Sequence, residues 1–122
     1  MAIVEAYCTP AGNSPIEEYI IKLTKKHKTR EIAAIISYKK RLEEYGARVN
    51  EIYHDTIKCL RDGIYELRPD DTRIFFFFFE KDRIVLLHAF EKKRWTVPPE
   101  EIEKAIQEKN DYLRRRNYEQ RN

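Results

Sequence analysis

The chain has 122 residues, 42% hydrophobic and 37% charged, with a formal net charge of +3 and a pI near 8.8. That is the mass of one ordinary domain with a modest core and a heavily charged surface, so residues 1–122 read as a single domain. No run approaches the roughly 18 consecutive apolar residues of a transmembrane helix, and Met1 to Glu5 lacks the basic stretch of a secretory signal, so a cytoplasmic location is expected.

Residues 2–8 read as a short strand and residues 9–13 as a loop by composition. Ser14-Pro15-Ile16-Glu17 is a capping box with proline at the first helical position. Ile16, Tyr19, Ile20 and Leu23 follow at helical spacing. A second helix starts near Thr29; Ile32, Ile35, Ile36 and Leu42 make its apolar stripe, and Gly46 can end it. The two form a helical hairpin. The period then changes. Residues 57–60 and 64–68 read as strands around an Asp62-Gly63 turn. Arg73 to Glu80 is a strand with five consecutive phenylalanines, Phe75 to Phe79, which needs cover on both faces at least in part. After a turn at Lys81-Asp82 comes a last strand, Arg83 to Phe90. Pro98 and Pro99 open a C-terminal helix with Ile102, Ala105, Ile106 and Leu113 as its buried stripe. The class is α+β. Cys8 and Cys59 lack metal spacing and read as buried thiols in a reducing compartment.

Side chains alternate faces along a strand, and cross-strand partners share a face. A two-residue turn at 81–82 pairs Glu80 with Arg83, Phe77 with Leu86, Phe75 with His88 and Arg73 with Phe90. A four-residue loop at 69–72 pairs Arg68 with Arg73 and Glu66 with Phe75. One face then carries Tyr65, Leu67, Ile74, Phe76, Phe78, Val85, Leu87 and Ala89, and belongs under the helices. The other carries Glu66, Arg68, Arg73, Phe75, His88, Phe90 and Lys92, and is expected to point away from them.

Arginines fork onto phosphate oxygens, and phenylalanines stack on unpaired bases. RNA cleavage needs no metal, because the 2′-hydroxyl can attack the adjacent phosphate. The protein then has to accept a proton, stabilise the phosphorane charge and protonate the leaving oxygen. Glu66 or His88 is the candidate base, and Arg68, Arg73 and Lys92 the candidate charge stabilisers. Glu66 alternatively serves as the ion-pair partner that lets two arginines sit close together, and His88 as a structural histidine. Basic runs at Lys22, Lys25, Lys26, Lys28 and Arg30, at Lys92, Lys93 and Arg94, and at Arg114, Arg115 and Arg116 favour a nucleic-acid partner. Lys58, Arg61, Phe75, Phe90, Lys93 and Arg94 are the further RNA-binding candidates. No metal site or cofactor is expected, since His27, His54 and His88 lie far apart in sequence.

The run Lys58 to Arg68, KCLRDGIYELR, resembles the paired strands of phage-derived, HigB-like toxins in the RelE/ParE superfamily. Arg73 falls on that family's strand arginine, Ile84 to Lys93 resembles its last strand, and Pro98 to Ala105 resembles its final helix start. The match covers residues 57–113 well, and the helical hairpin only in pattern. The resemblance implies a helical hairpin and C-terminal helix packed on a twisted antiparallel sheet. It implies a type II toxin–antitoxin toxin that cuts mRNA, often on the ribosome, and that is neutralised by a cognate, helix-turn-helix HigA-like antitoxin. By position, Arg68 and Arg73 look like the phosphate-contacting arginines, and Lys92 or Lys93 like the last-strand cation. Tyr112 and Tyr118 are the candidates for a base-contacting tyrosine. The gyrase-directed ParE branch shares the fold, and a non-nucleolytic toxin or a degenerate RNA- or antitoxin-binding relative is the alternative.

Overall fold

A computed structural model describes residues 1–53, 56–80, 82–93 and 95–121, the last four by backbone alone. The elements run β1 (Ile3–Ala6), α1 (Pro15–Lys25), α2 (Thr29–Tyr45), a 3₁₀ turn (Gly46–Arg48), α3 (Val49–Ile52), β2 (Ile57–Cys59), β3 (Tyr65–Leu67), β4 (Thr72–Phe79), β5 (Arg83–Glu91) and α4 (Pro99–Arg121). Local chemistry sets these ends as the sequence implies. The Ser14 hydroxyl accepts a hydrogen bond from the Glu17 N–H at 3.2 Å, and Pro15 opens α1. Gly46 leaves α2 at φ 56°, a conformation that side chains with a Cβ adopt only under strain. Asp62 and Gly63 both take positive φ in the turn between β2 and β3.

The sheet order is β1-β5-β4-β3-β2. Strands β2 to β5 form the expected antiparallel meander, and β1 adds to the free edge of β5 in parallel, so the sheet is mixed. With the hairpin α1–α2 on one face and α4 on the other, this is the α+β, RelE-like architecture implied by the resemblance. Among the described residues, no helix is long and apolar enough to cross a membrane.

The five phenylalanines divide between two cores. Phe76 and Phe78 pack with Leu67, Ile74, Ile84 and Leu86 beneath α1 and α2. Phe75, Phe77 and Phe79 pack with Ile64, Val85, Leu87 and Ala105 beneath α4. Phe75 and Phe76 are fully buried. Each buried ring contributes on the order of 1.5–3 kcal/mol, so the strand anchors both layers.

The expected register holds at one end of the β4–β5 pair and fails at the other. Phe75 pairs with His88 and Arg73 with Phe90, as the parity argument has it, and Glu66 pairs with Phe75. Nearer the turn, Phe79 pairs with Arg83 and Phe77 with Val85, so three residues connect the strands rather than two. The expected turn residue Lys81 lies outside the described residues. A bulge opposite the Phe75/Phe76 step adds Leu87 as an extra residue and restores the expected pairing. Val85 and Leu87, expected under the hairpin, therefore face α4, and Ile84 and Leu86 pack under the hairpin instead. A second correction follows. The face carrying His88 and Phe75 does not point away from the helices, because α4 covers it. The cysteines are also corrected: Cys8 and Cys59 are both free and exposed, not buried.

Candidate functional site

At the open end of the sheet, beyond the reach of α4, the strand ends and the β5–α4 loop enclose a cleft of about 180 Å³. Lys58 of β2, Glu66 and Arg68 of β3 and its end, Arg73 of β4, and Phe90, Lys92 and Lys93 of β5 and its end all line it. Seven of the sequence-derived candidates thus converge in one place. They do so because the pairing Glu66–Phe75 and Arg73–Phe90 puts alternate residues of neighbouring strands on one face.

Within the cleft the Glu66 side chain is almost completely buried, and Arg68 Nε donates to its Oε1 at 2.8 Å. A buried carboxylate held by a partly exposed guanidinium fits either role given to Glu66. It can neutralise one of two neighbouring cations, and it presents an acceptor at a cationic surface. Both N–H groups of Arg73 Nη1 are committed to main-chain carbonyls, of Asp70 at 2.9 Å and Thr72 at 2.8 Å. The β3–β4 turn therefore fixes the guanidinium in place while Arg73 still lines the cleft. A preoriented cation of this kind stabilises developing phosphorane charge without reorganising.

A second cleft, of about 350 Å³, adjoins the first and shares Phe90, Lys93 and Pro98 with it. Lys22, Lys26 and Lys28 line its far side, together with the carboxylates Glu31, Glu91, Glu100 and Glu101, so its charge is mixed. Two of the three basic runs seen in the sequence therefore meet along one trough. The third does not: Arg114 and Arg115 bind Asp111 at 3.2 and 2.7 Å along the second half of α4, away from both clefts.

Other candidates are placed elsewhere. His88 is only 2% exposed. Its Nδ1 lies 2.5 Å from Glu108 Oε1, and its Nε2 lies 3.3 Å from Glu101 Oε1, outside hydrogen-bonding geometry. It joins β5 to α4 beneath the helix and, unlike the equally buried Glu66, lines neither of the two clefts. Phe75 is buried in the same layer and is not available for base stacking; its ring meets His88 and Phe90 edge-on. Arg61 pairs with Asp62 at 2.9 Å and with Glu103 on α4, away from the cleft. Arg94, His54 and the side chain of Tyr118 lie outside the described residues. Tyr112 donates to Glu5 and packs between Phe77 and Phe79, so it is a core tyrosine. Folding also brings carboxylates of Glu31, Asp70 and Asp71 within 4.8 Å of one another, a grouping that sequence spacing did not reveal. Glu31 there accepts from Thr72 Oγ1 at 3.0 Å and pairs with Lys28 at 3.8 Å.

Trp95 escaped the sequence reading. It is 94% exposed, lines the first cleft, and carries the Lys92 ammonium 4.7 Å from its ring centroid. The available signal was a single tryptophan in a loop directly after a basic run.

The middle of α4 is held by Tyr7, whose hydroxyl donates to Asp111 Oδ2 at 2.6 Å. Burial, reinforced by that carboxylate, pushes the Tyr7 hydroxyl up to about 12. Burial also pushes the Asp111 carboxyl upward, but the Tyr7 and Arg115 hydrogen bonds outweigh it and hold Asp111 below the usual carboxylate range. A depressed folded-state pKa means stability that is present above the unfolded value of about 4 and lost as pH falls through the folded value. The thermal midpoint should therefore fall as pH drops from about 4. Asp111→Asn should be destabilised already at neutral pH and show a flatter profile in that acid window. Parallel acid profiles of the two proteins would contradict this linkage.

A family model described as phage derived protein Gp49-like (DUF891) matches residues 18–110. No curated protein matches the chain.

Proposed function

The chain belongs to the phage-derived Gp49-like family, and from that premise we propose that it is the toxin of a type II toxin–antitoxin pair, of the HigB-like kind, that cleaves mRNA without a metal cofactor. Family membership is consistent with a toxin of such a pair at a coarse level. The observation that carries the finer reading is the cleft in which Glu66, Arg68, Arg73 and Lys92 converge at one end of the sheet.

In this mechanism one phosphate of the RNA backbone lies among Arg68, Arg73 and Lys92. The cations stabilise the phosphorane formed as the 2′-hydroxyl attacks; the P–O5′ bond then breaks to leave a 2′,3′-cyclic phosphate, and the departing 5′-oxygen takes a proton from solvent at the open cleft. Glu66, partnered by Arg68, is the acceptor in the cleft for the hydroxyl proton; His88, buried under α4, is assigned a positioning role instead. The partner is a cognate, HigA-like antitoxin whose carboxylates cover the cationic cleft or displace α4. Inducing the chain and mapping mRNA 5′ ends tests the proposal. New ends should appear within translated regions and vanish when the neighbouring gene's product is co-expressed. Growth arrest with intact mRNA would assign it instead to the toxins that act on a protein target such as gyrase.

A further inference from the structure

We propose that Trp95 is the stacking platform for the unpaired base next to the scissile phosphate, and that it selects single-stranded substrates with a preference for purines there. This rests on the RNA-cleavage reading above. Trp95 has the largest apolar ring surface of any residue type, yet it is 94% exposed and belongs to neither core. Its neighbours explain the ring's placement only in part. The Lys92 ammonium lies 4.7 Å from the ring centroid, a cation–π contact that ties the indole to the cationic wall of the cleft. At 94% exposure the rest of the ring surface stands in water.

Trp95, Arg68, Arg73 and Lys92 line one cleft of about 180 Å³. A phosphate held by the arginines therefore places its flanking base within the same small space as the indole. Of the aromatic rings expected from sequence parity to stack on bases, Phe75 is fully buried, and Phe90 lines the cleft but is half-buried beneath α4 and offers less open ring than Trp95. Stacking reads the π face of a base and makes no hydrogen bond to its edge, so it tolerates any base. Purines, with two fused rings, cover more of an indole than pyrimidines do. A base-paired nucleotide cannot present its face, which excludes duplex RNA.

The chain's single tryptophan reports on binding to wild type, and titration calorimetry gives the affinities of wild type and of the variants that lack it. Wild type, Trp95→Ala and Trp95→Phe are titrated with a 2′-O-methyl RNA octamer, which lacks the nucleophile and stays intact. Parallel titrations use the octamer with one abasic position and inorganic polyphosphate, which has charge but no bases. The octamer should quench indole fluorescence and polyphosphate should not. Trp95→Ala should bind the octamer about 5- to 150-fold more weakly, the range of one lost base–aromatic stack, and Trp95→Phe should recover most of that loss. Polyphosphate affinity should be unchanged in both variants, which shows that fold and charge are intact. The abasic octamer should bind wild type and Trp95→Ala alike when the missing base is the stacked one. Octamer affinity unchanged in Trp95→Ala overturns the platform while leaving the RNA reading standing. An equal loss for octamer and polyphosphate also overturns it. Wild type that binds polyphosphate no more weakly than RNA, with no quenching by RNA, overturns both readings together.

Discussion

Arg73→Ala should lower mRNA cleavage by about 100- to 1000-fold, the effect of removing one preorganised donor from a charge-developing transition state. The guanidinium is half-exposed and fastened to the Asp70 and Thr72 carbonyls, so its loss touches a turn and neither core. The variant should fold, with a thermal midpoint within about 10 °C of wild type, since the two hydrogen bonds lost contribute about 1 kcal/mol each. Arg73→Lys should recover little, because an ammonium cannot hold the two carbonyls and a phosphate in one plane. Single-turnover cleavage by each variant, with circular dichroism as the folding control, makes the measurement. Arg73→Ala cleaving within a few-fold of wild type would remove Arg73 from the mechanism.

His88→Ala should act on stability first. It leaves the Glu108 carboxylate, 8% exposed, beneath α4 without the imidazole 2.5 Å away. Deleting one partner of a buried hydrogen bond leaves the other unsatisfied and costs on the order of 1–3 kcal/mol. That is a large share of the 5–15 kcal/mol typical of a domain. Replacing both partners, His88→Leu with Glu108→Leu, should restore most of the loss, since apolar groups of similar volume suit the site. Urea unfolding of the three proteins checks this. Unchanged stability in His88→Ala together with lost cleavage would return His88 to the chemistry.

The parity argument succeeded at the charged end of the sheet because two deviations cancel. The turn between β4 and β5 is one residue longer than the sequence reading has it, and the bulge at Leu87 adds one residue to β5 in compensation. Glu66, Arg68, Arg73 and Lys92 therefore share a cleft as expected, while Val85 and Leu87 change faces. That exchange hid the second core. With Val85 and Leu87 assigned to the hairpin side, the opposite face looked polar enough to be open. Restored to it, they complete with Phe75 and Phe77 an apolar surface that Ala105 of α4 must cover. Helix ends were legible because Ser14, Pro15 and Gly46 act through bonds and backbone angles within a few residues. Neither a bulge nor the docking of α4 has such a local signature; both are decided by packing across the sheet. Trp95 was missed for the opposite reason: it packs in neither core, and only its place in the cleft gives it meaning.

The central claim is that this cleft cuts RNA through the substrate's own 2′-hydroxyl. The most direct measurement is the end chemistry of mRNA cleaved by the purified chain on translating ribosomes. The account predicts 2′,3′-cyclic phosphate on the upstream fragment, 5′-hydroxyl on the downstream one, and no cleavage when the nucleotide at the cut carries a 2′-deoxyribose. Fragments ending in 3′-hydroxyl and 5′-phosphate, or unimpaired cutting of the deoxy-substituted message, would contradict it.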